Sequence, residues 1–168
     1  MSTPENPTPT APNPWHYPAT LLKVTDGDTA VFRLTRTVEI DFGFRFKTTM
    51  TVSFEAAFRM CKINAPEIHS QNPREKAAAL VAKAKLEELL ALGPLTIESQ
   101  KPMGPLASDL YGRWLCLVKI AAPDREIDAA MELISLGLVV PYDGKQARLP
   151  WVDPHADTPH NTPAAKVK

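Results

Sequence analysis

The sequence predicts an α+β fold made of mostly antiparallel strands and two main helices. The chain has 168 residues, 44% of them hydrophobic, which suits one domain with a substantial core. Its first half is rich in Thr, Val, Phe and Ile and is divided by turn signals, as in a series of strands. Two later segments begin with helix-capping residues and end near glycine, as helices do.

The composition divides the chain into a body and two proline-rich ends. Residues 1–18 contain six prolines, and we expect a flexible arm because proline removes backbone donors and the segment has little to bury. Trp15 and Tyr17 are expected to fix its end to the body. Residues 146–168 show no periodicity and predict a second tail. The folded domain is therefore predicted at residues 19–145.

The first strands follow directly from the pattern. The segments "ATLLKVTDG" and "DTAVFRL" predict two strands joined by a tight turn, with Asp26 and Gly27 as the turn signal. The long segment that follows predicts at least two more strands, the last running through "AAFRMCKI". Within it, "DFGFRFKTT" predicts an extended hairpin inserted between strands 2 and 3. Arg45 and Lys47 there could contact nucleic acid or be ordinary solvated charges.

The first helix has clear start and stop signals. Asn72 is a capping residue, Pro73 suits the first helical position, and Glu75 stands where a capping-box acid would. Gly93 followed by Pro94 predicts the end of the helix. The spacing i, i+3, i+4, i+7 predicts that its apolar face is formed by Ala77, Leu80, Val81 and Ala84.

The remaining body contains two strands, a second helix and a closing strand. "LTIES" and "WLCLVKI" predict the strands, Asp128 caps the helix "AAMELISLG", which ends at Gly137, and "LVVPY" closes the body. The predicted order is three strands, a helix, two strands and a helix. This is the order of an OB-type β-barrel.

Charge and cysteine content narrow the class of protein. The 19 basic and 19 acidic residues balance, so the strong basic footprint of a non-specific DNA-coating protein is missing. Cys61 and Cys116 lie in apolar runs and are expected to be buried and free. Without a signal-peptide pattern or a long apolar run, we expect a soluble intracellular (cytoplasmic) monomer with no membrane partner.

Three segments resemble the staphylococcal nuclease (thermonuclease-like) family, in the same order and at similar spacing: "VTDGDTAVF", "FRMCKINAPE" and "DLYGRWLCLV". The later "ELISLGLVVPY" resembles the family's second helix and the strand after it. The resemblance covers residues 19–142. It implies a five-stranded OB barrel with packed helices and calcium-dependent hydrolysis of DNA and RNA phosphodiester bonds. A small nuclease of bacterial or phage type is expected.

Oxygen ligands for Ca²⁺ are expected at one end of the strands. Asp28, Asn64 and the backbone carbonyl of Ala65 make a hard-oxygen set, and Asp26 resembles a family acid that lies near the metal through water. The alternatives are an ordinary hairpin turn for Asp28 and a local hydrogen bond to the backbone for Asp26. The family usually has aspartate where this chain has Asn64, so we expect a higher calcium requirement.

The resemblance also assigns roles to five other residues. Glu67 matches the family's general base, and Arg59 and Arg113 match its two phosphate-binding arginines. The alternatives are a solvated loop acid, a buried ion pair and a surface arginine, respectively. Tyr111 and Tyr142 are expected to line the nucleotide pocket, although ordinary packing is an equal alternative.

Three functions follow from these patterns. The favoured one is an active metal-dependent nuclease acting on DNA and/or RNA. The second is a catalytically weak or inactive nucleic-acid-binding module of the same fold, which would not need both arginines and Glu67 together. The third is a structural domain whose proline-rich ends recruit partners, although these ends look more like spacers.

Overall fold

The computed structural model describes residues 15–99 and 113–143. It shows the α+β class that the sequence predicts, with a mostly antiparallel sheet and two helices. The helices are α1 (Pro73–Leu90) and α2 (Ala129–Ser135). The strands are β1 (His16–Asp26), β2 (Thr29–Asp41), β3 (Lys47–Met60), β4 (Ile63–Asn64), β5 (Leu95–Ser99), β6 (Trp114–Ala121), β7 (Glu126–Asp128) and β8 (Val140–Pro141).

The main sheet has six strands in the order β3-β2-β1-β5-β6-β7. Neighbours in this order are antiparallel, and β3 also pairs with β6 in parallel over Phe58–Met60. Strands β4 and β8 form a separate two-stranded sheet. The extended hairpin expected between strands 2 and 3 is present, because β2 and β3 stay in register from Thr29–Arg59 to Asp41–Lys47.

The first and third strands differ from prediction at their ends. Strand β1 begins at His16, inside the predicted arm, because His16–Ala19 pair with β5. Strand β3 stops at Met60, whereas the sequence predicted continuation to Ile63. Lys62 adopts a positive φ of 68°, which breaks the extended backbone, and the chain resumes as β4.

The core lies between the sheet and the two helices. Its largest fully buried side chains are Phe32, Ile63, Leu86, Ile97, Ile120, Leu133, Val118 and Cys116. Both cysteines are free, as expected, but Cys61 is only half-buried. Burial raises the pKa of both thiols above their ordinary value, so they remain protonated at neutral pH.

The start of α1 is confirmed but its predicted apolar face is wrong. Asn72 Oδ1 accepts from the Arg74 backbone N–H at 3.0 Å, and Pro73 is the first residue. Leu80 and Val81, however, are more than half exposed. The helix instead buries Ala79, Ala82, Leu86, Leu89 and Leu90.

The glycine predicted to end α1 has another role. The helix ends at Leu90 with Ala91 as its cap, before Gly93 is reached. A Cβ at Gly93 would collide with the Ala121 carbonyl, so this position is glycine because two segments of backbone approach closely. Neither helix in the described ranges is long and apolar enough to cross a membrane.

The predicted ends of α2 are confirmed. Asp128 Oδ1 accepts from the backbone N–H groups of Ala130 and Met131 at 3.0 and 3.1 Å. Gly137 has a φ of 68°, and its N–H donates to the Ile134 carbonyl. Such a left-handed glycine satisfies the last carbonyls of a helix.

Candidate active site

The turn between β1 and β2 places the first candidate residue. Gly27 and Asp28 form a two-residue connection, since Asp26 pairs with Thr29 across it. A Cβ at Gly27 would lie 2.9 Å from the Ala82 Cβ and 3.0 Å from the Ala65 Cβ. Glycine therefore lets the turn fit between α1 and the segment after β4, and this fit positions Asp28.

Asp28 is a buried carboxylate with several donors around it. Its side chain is 6% exposed. Oδ1 accepts from the Thr29 hydroxyl at 2.7 Å, while Oδ2 lies 2.9 Å from Arg59 Nη2 and 3.4 Å from the Ala65 backbone nitrogen. A buried carboxylate requires such hydrogen bonds and a compensating cation, and Arg59 is that cation.

Arg59 connects two of the predicted metal ligands. The same Nη2 atom that contacts Asp28 donates to Asn64 Oδ1 at 3.0 Å. The Arg59 side chain is 20% exposed. The alternative considered for Arg59, a buried ion pair, is thus what the structure shows. Its guanidinium still reaches the surface, where it could contact a ligand.

Arg113 joins the same group from a distant part of the chain. Its Nη1 donates to Thr29 Oγ1 at 3.3 Å, and Thr29 donates in turn to Asp28. Thr29 is buried and links the second arginine to the carboxylate. Sequence reasoning did not assign it a role; the only signal was its position immediately after Asp28.

The loop that carries Glu67 is held by the first turn of α1. Glu75 Oε1 accepts from the Glu67 backbone N–H at 3.2 Å, and Oε2 accepts from the Ser70 hydroxyl at 2.6 Å. Ser70 Oγ accepts from the Asn72 N–H at 3.1 Å, the donor that a capping-box Glu75 would have taken. Glu75 therefore fixes the loop, a role that sequence reasoning missed, and Glu67 is half-buried.

The other predicted site residues have different positions. Asp26 Oδ1 accepts from the Gly27 N–H at 2.8 Å, which is the local turn contact named as its alternative. The Tyr142 N–H donates to the Lys62 carbonyl at 2.8 Å, so Tyr142 lies beside the residue that precedes β4. Tyr111 lies outside the described residues.

The side-chain oxygen atoms at this site are of the kind that bind a hard divalent cation. Asp28 Oδ2 and Asn64 Oδ1 converge on a single point, at which they hold Arg59 Nη2. Carboxylate and amide oxygens are ligands that Ca²⁺ accepts. In the described ranges no three His, Cys, Asp or Glu side chains form a metal-binding group. A cation here would therefore depend on amide, carbonyl and water oxygens beside Asp28, and would compete with Arg59.

Comparison with known proteins adds no assignment. No protein-family model matches the chain, and no curated protein matches it at a significant level. The resemblance to nucleases therefore rests on the three quoted segments of sequence.

Proposed function

We propose that this protein is a calcium-dependent nuclease that hydrolyses phosphodiester bonds of DNA and/or RNA. One observation carries the proposal. Arg59 and Arg113, which belong to different motifs, both connect to the buried carboxylate of Asp28, Arg59 directly and Arg113 through Thr29. Two arginines connected to one carboxylate at the end of a strand pair suit the binding of a phosphate group.

We also propose that the main sheet closes as a five-stranded OB-type barrel. The support is the parallel pairing between β3 and β6, because it joins the two sides of the strand order β3-β2-β1-β5-β6. The site then lies where β2 and β3 begin and end. OB folds commonly bind nucleic acids on such a surface.

The arginines stabilise the charge that develops on the phosphate. The contacts of the Arg59 guanidinium with Asp28 and Asn64 both use Nη2, and we propose that its other nitrogens bind a substrate phosphate. Arg113 Nη1 donates to Thr29 Oγ1, and we propose that Arg113 also contributes positive charge toward the phosphate. Preorganised donors of this kind are commonly worth about 3–4 kcal/mol of barrier each.

Glu67 is the proposed general base. It is half-buried in a loop whose backbone is held by Glu75, so the backbone that carries its carboxylate is fixed. A carboxylate that accepts a hydrogen bond from water can remove its proton as the water attacks phosphorus. Glu75 acts as a positioning residue for this loop.

Ca²⁺ would be held by Asp28, Asn64 and the Ala65 carbonyl, and Asp26 would contact it through a water molecule. When bound, the ion would neutralise charge on the phosphate oxygens. Asn64 supplies an oxygen but no charge, which predicts weak binding. Tyr111 and Tyr142 are proposed to contact the nucleotide.

The experiment is a cleavage assay on single-stranded DNA and on RNA. The wild type is incubated with calcium, with magnesium, and with a chelator, and the products are separated by length. We expect cutting in calcium that the chelator abolishes. No cutting of either substrate across a calcium titration would contradict the proposal.

A second function is favoured by one observation. Arg59 is already engaged by Asp28 and Asn64, an arrangement that would also suit a nucleic-acid-binding module without catalysis. Fluorescence anisotropy with labelled single-stranded DNA separates the two functions. Binding without cleavage in calcium identifies the module, and cleavage identifies the enzyme.

A further inference from the structure

The outer part of the β2–β3 hairpin is a two-stranded ribbon with two different faces. We define the ribbon as the part from the pair Leu34–Phe54 to the pair Phe42–Phe46. Opposed residues of an antiparallel pair lie on the same face, and faces alternate along the strand. The register therefore assigns each side chain to a face. The hydrogen bond from the Phe42 N–H to the Phe46 carbonyl extends this register by one pair.

One face of the ribbon is polar and has partners of its own. Arg33 Nη2 lies 2.7 Å from Glu55 Oε1, just where the ribbon starts. The hydroxyls of Thr37 and Thr51 share a hydrogen bond of 2.9 Å, and Lys47 Nζ lies 2.9 Å from Glu39 Oε1. This face is suited to water.

The other face is apolar and is continuous with the core. It extends the row of Ala30, Phe32 and Leu34, whose side chains are buried. Arg36 and Thr48 are its only polar members. Its remaining side chains are Leu34, Val38, Ile40, Phe42, Phe46, Met50, Val52 and Phe54.

The apolar face is exposed although its composition is that of a core. Phe42, Phe46, Met50, Val52 and Phe54 are each between 44% and 60% exposed. The Phe42 and Phe46 rings contact each other, as do those of Phe54 and Trp114. A two-stranded ribbon is only marginally stable by itself in water, and contiguous exposed apolar patches mark interaction sites.

We propose that this face is a dimerisation surface and that its partner is the same face of a second copy of the chain. The pattern is self-complementary. Aromatic rings stand at both ends, with Phe42 and Phe46 at the tip and Phe54 at the base, while the Val38–Met50 pair lies at the centre. Two ribbons packed antiparallel about a two-fold axis at this centre place each tip over the partner's base, as an isologous interface requires.

The area agrees with a stable dimer. The exposed apolar side chains of the ribbon offer on the order of 600 Å² per chain, which is the lower end of the range for a specific interface. Trp114, which is 42% exposed beside Phe54, adds to this area. Packing sheet faces against each other is also an ordinary way to bury apolar side chains.

Other occupants fit the ribbon less well. An anionic lipid surface would need a cluster of cations around the apolar face, and Arg36 is the one basic side chain in the register of that face. A nucleic acid held at Arg59 would follow the polar face, because Arg59 and Thr29 belong to that face in the register. A dimer differs from the monomer expected from the sequence, and its formation does not depend on the proposed nuclease activity.

The test is the molar mass of the full-length protein in solution. Sedimentation velocity is measured over a concentration series for the wild type, for Met50→Glu and for Thr51→Glu. The two variants introduce the same charge on neighbouring residues of one strand, but on opposite faces. We expect a wild-type dimer, a Met50→Glu dissociation constant raised at least about 100-fold, and a dimeric Thr51→Glu.

A cross-linking measurement tests the two-fold axis. In Met50→Cys, the two cysteines face each other at the centre of the dimer, so oxidation should give a covalent dimer; Thr51→Cys should not. Circular dichroism confirms that each variant is folded. A wild type that remains monomeric at high concentration, or a dimer that Met50→Glu leaves intact, would overturn the inference.

Discussion

At the scale of single residues, Asp28 is the centre of the site. Its side chain is buried and receives the Thr29 hydroxyl, Arg59 and the Ala65 N–H. A carboxylate removed from water in this way is stable only with a cation beside it. Arg59 therefore has a structural role in the free protein as well as its proposed role toward phosphate.

This dual role predicts a large stability effect. We expect Arg59→Ala to lower the free energy of unfolding by about 3 kcal/mol, because it leaves Asp28 buried and unpaired. The matched control is Arg33→Ala on the neighbouring strand, whose ion pair with Glu55 is about half exposed and should contribute at most about 1 kcal/mol. Urea unfolding measures both, and equal losses would contradict the role given to Arg59.

The side chain at position 64 is expected to determine how much calcium the protein requires for cleavage. Asn64→Asp adds a charge beside Asp28, so we expect half-maximal cleavage at a lower calcium concentration, since affinity rises with ligand charge. The control is Asn72→Asp, which makes the same change of side chain at the N-cap of α1, where asparagine and aspartate are about equally favourable. It should leave the calcium requirement unchanged. A calcium titration of the initial cleavage rate measures the difference, and an unchanged or higher requirement in Asn64→Asp would count against the assignment.

The sequence could predict part of this site. The resemblance of three segments to the nuclease family pointed to Asp28, Arg59, Asn64 and Arg113, and the structure brings these four together. It did not point to Thr29 or Glu75, because their roles depend on contacts between segments that no spacing reveals. Glu75 looked like a capping-box acid, but Ser70 occupies the backbone donor that it would have used.

At the scale of secondary-structure elements, α1 shows where periodicity fails. Its first half is so rich in alanine that more than one face could pack. The predicted face would have buried Leu80 and Val81, but the helix buries Ala79 and Ala82 there. The reason is the close approach of the β1–β2 turn at Gly27, for which only a small side chain leaves room.

This close approach predicts the effect of adding one methyl group. In Gly27→Ala, the new Cβ would contact Ala82 and Ala65 at 2.9 and 3.0 Å, so the turn that carries Asp28 must move. We expect a loss of about 1–3 kcal/mol of stability from overpacking, together with reduced cleavage. Thermal unfolding and the cleavage rate measure the two effects.

The control for this prediction is Gly43→Ala. A Cβ at Gly43 meets nothing within 4 Å, although its φ of 74° is strained for alanine, so stability should fall slightly and cleavage should not. Adding Ala82→Gly to Gly27→Ala removes the nearer contact and should restore part of the activity. Full activity in Gly27→Ala alone would show that the turn does not position the site.

At the scale of the whole molecule, the sequence predicted the class and the order of the longer elements, but it predicted neither the short strands β4 and β7 nor the surfaces. The α+β class and the long hairpin follow from turn signals and strand-forming residues. The sequence did not predict the apolar face of the ribbon, because that face is defined only by the register between β2 and β3 and by what the rest of the fold leaves uncovered. The balanced net charge of the chain likewise gives no indication that two arginines are concentrated at one site.

We propose that three distant segments assemble a phosphodiesterase site, and one comparison of variants tests this assembly most directly. Cleavage rates in calcium are measured for the wild type, for Glu67→Gln and for Glu55→Gln, an exposed control that lies away from Asp28. We expect Glu67→Gln to lose at least about 100-fold in rate, as the loss of a general base does, with Glu55→Gln unchanged. Equal rates for all three proteins, or none in the wild type, would contradict the claim.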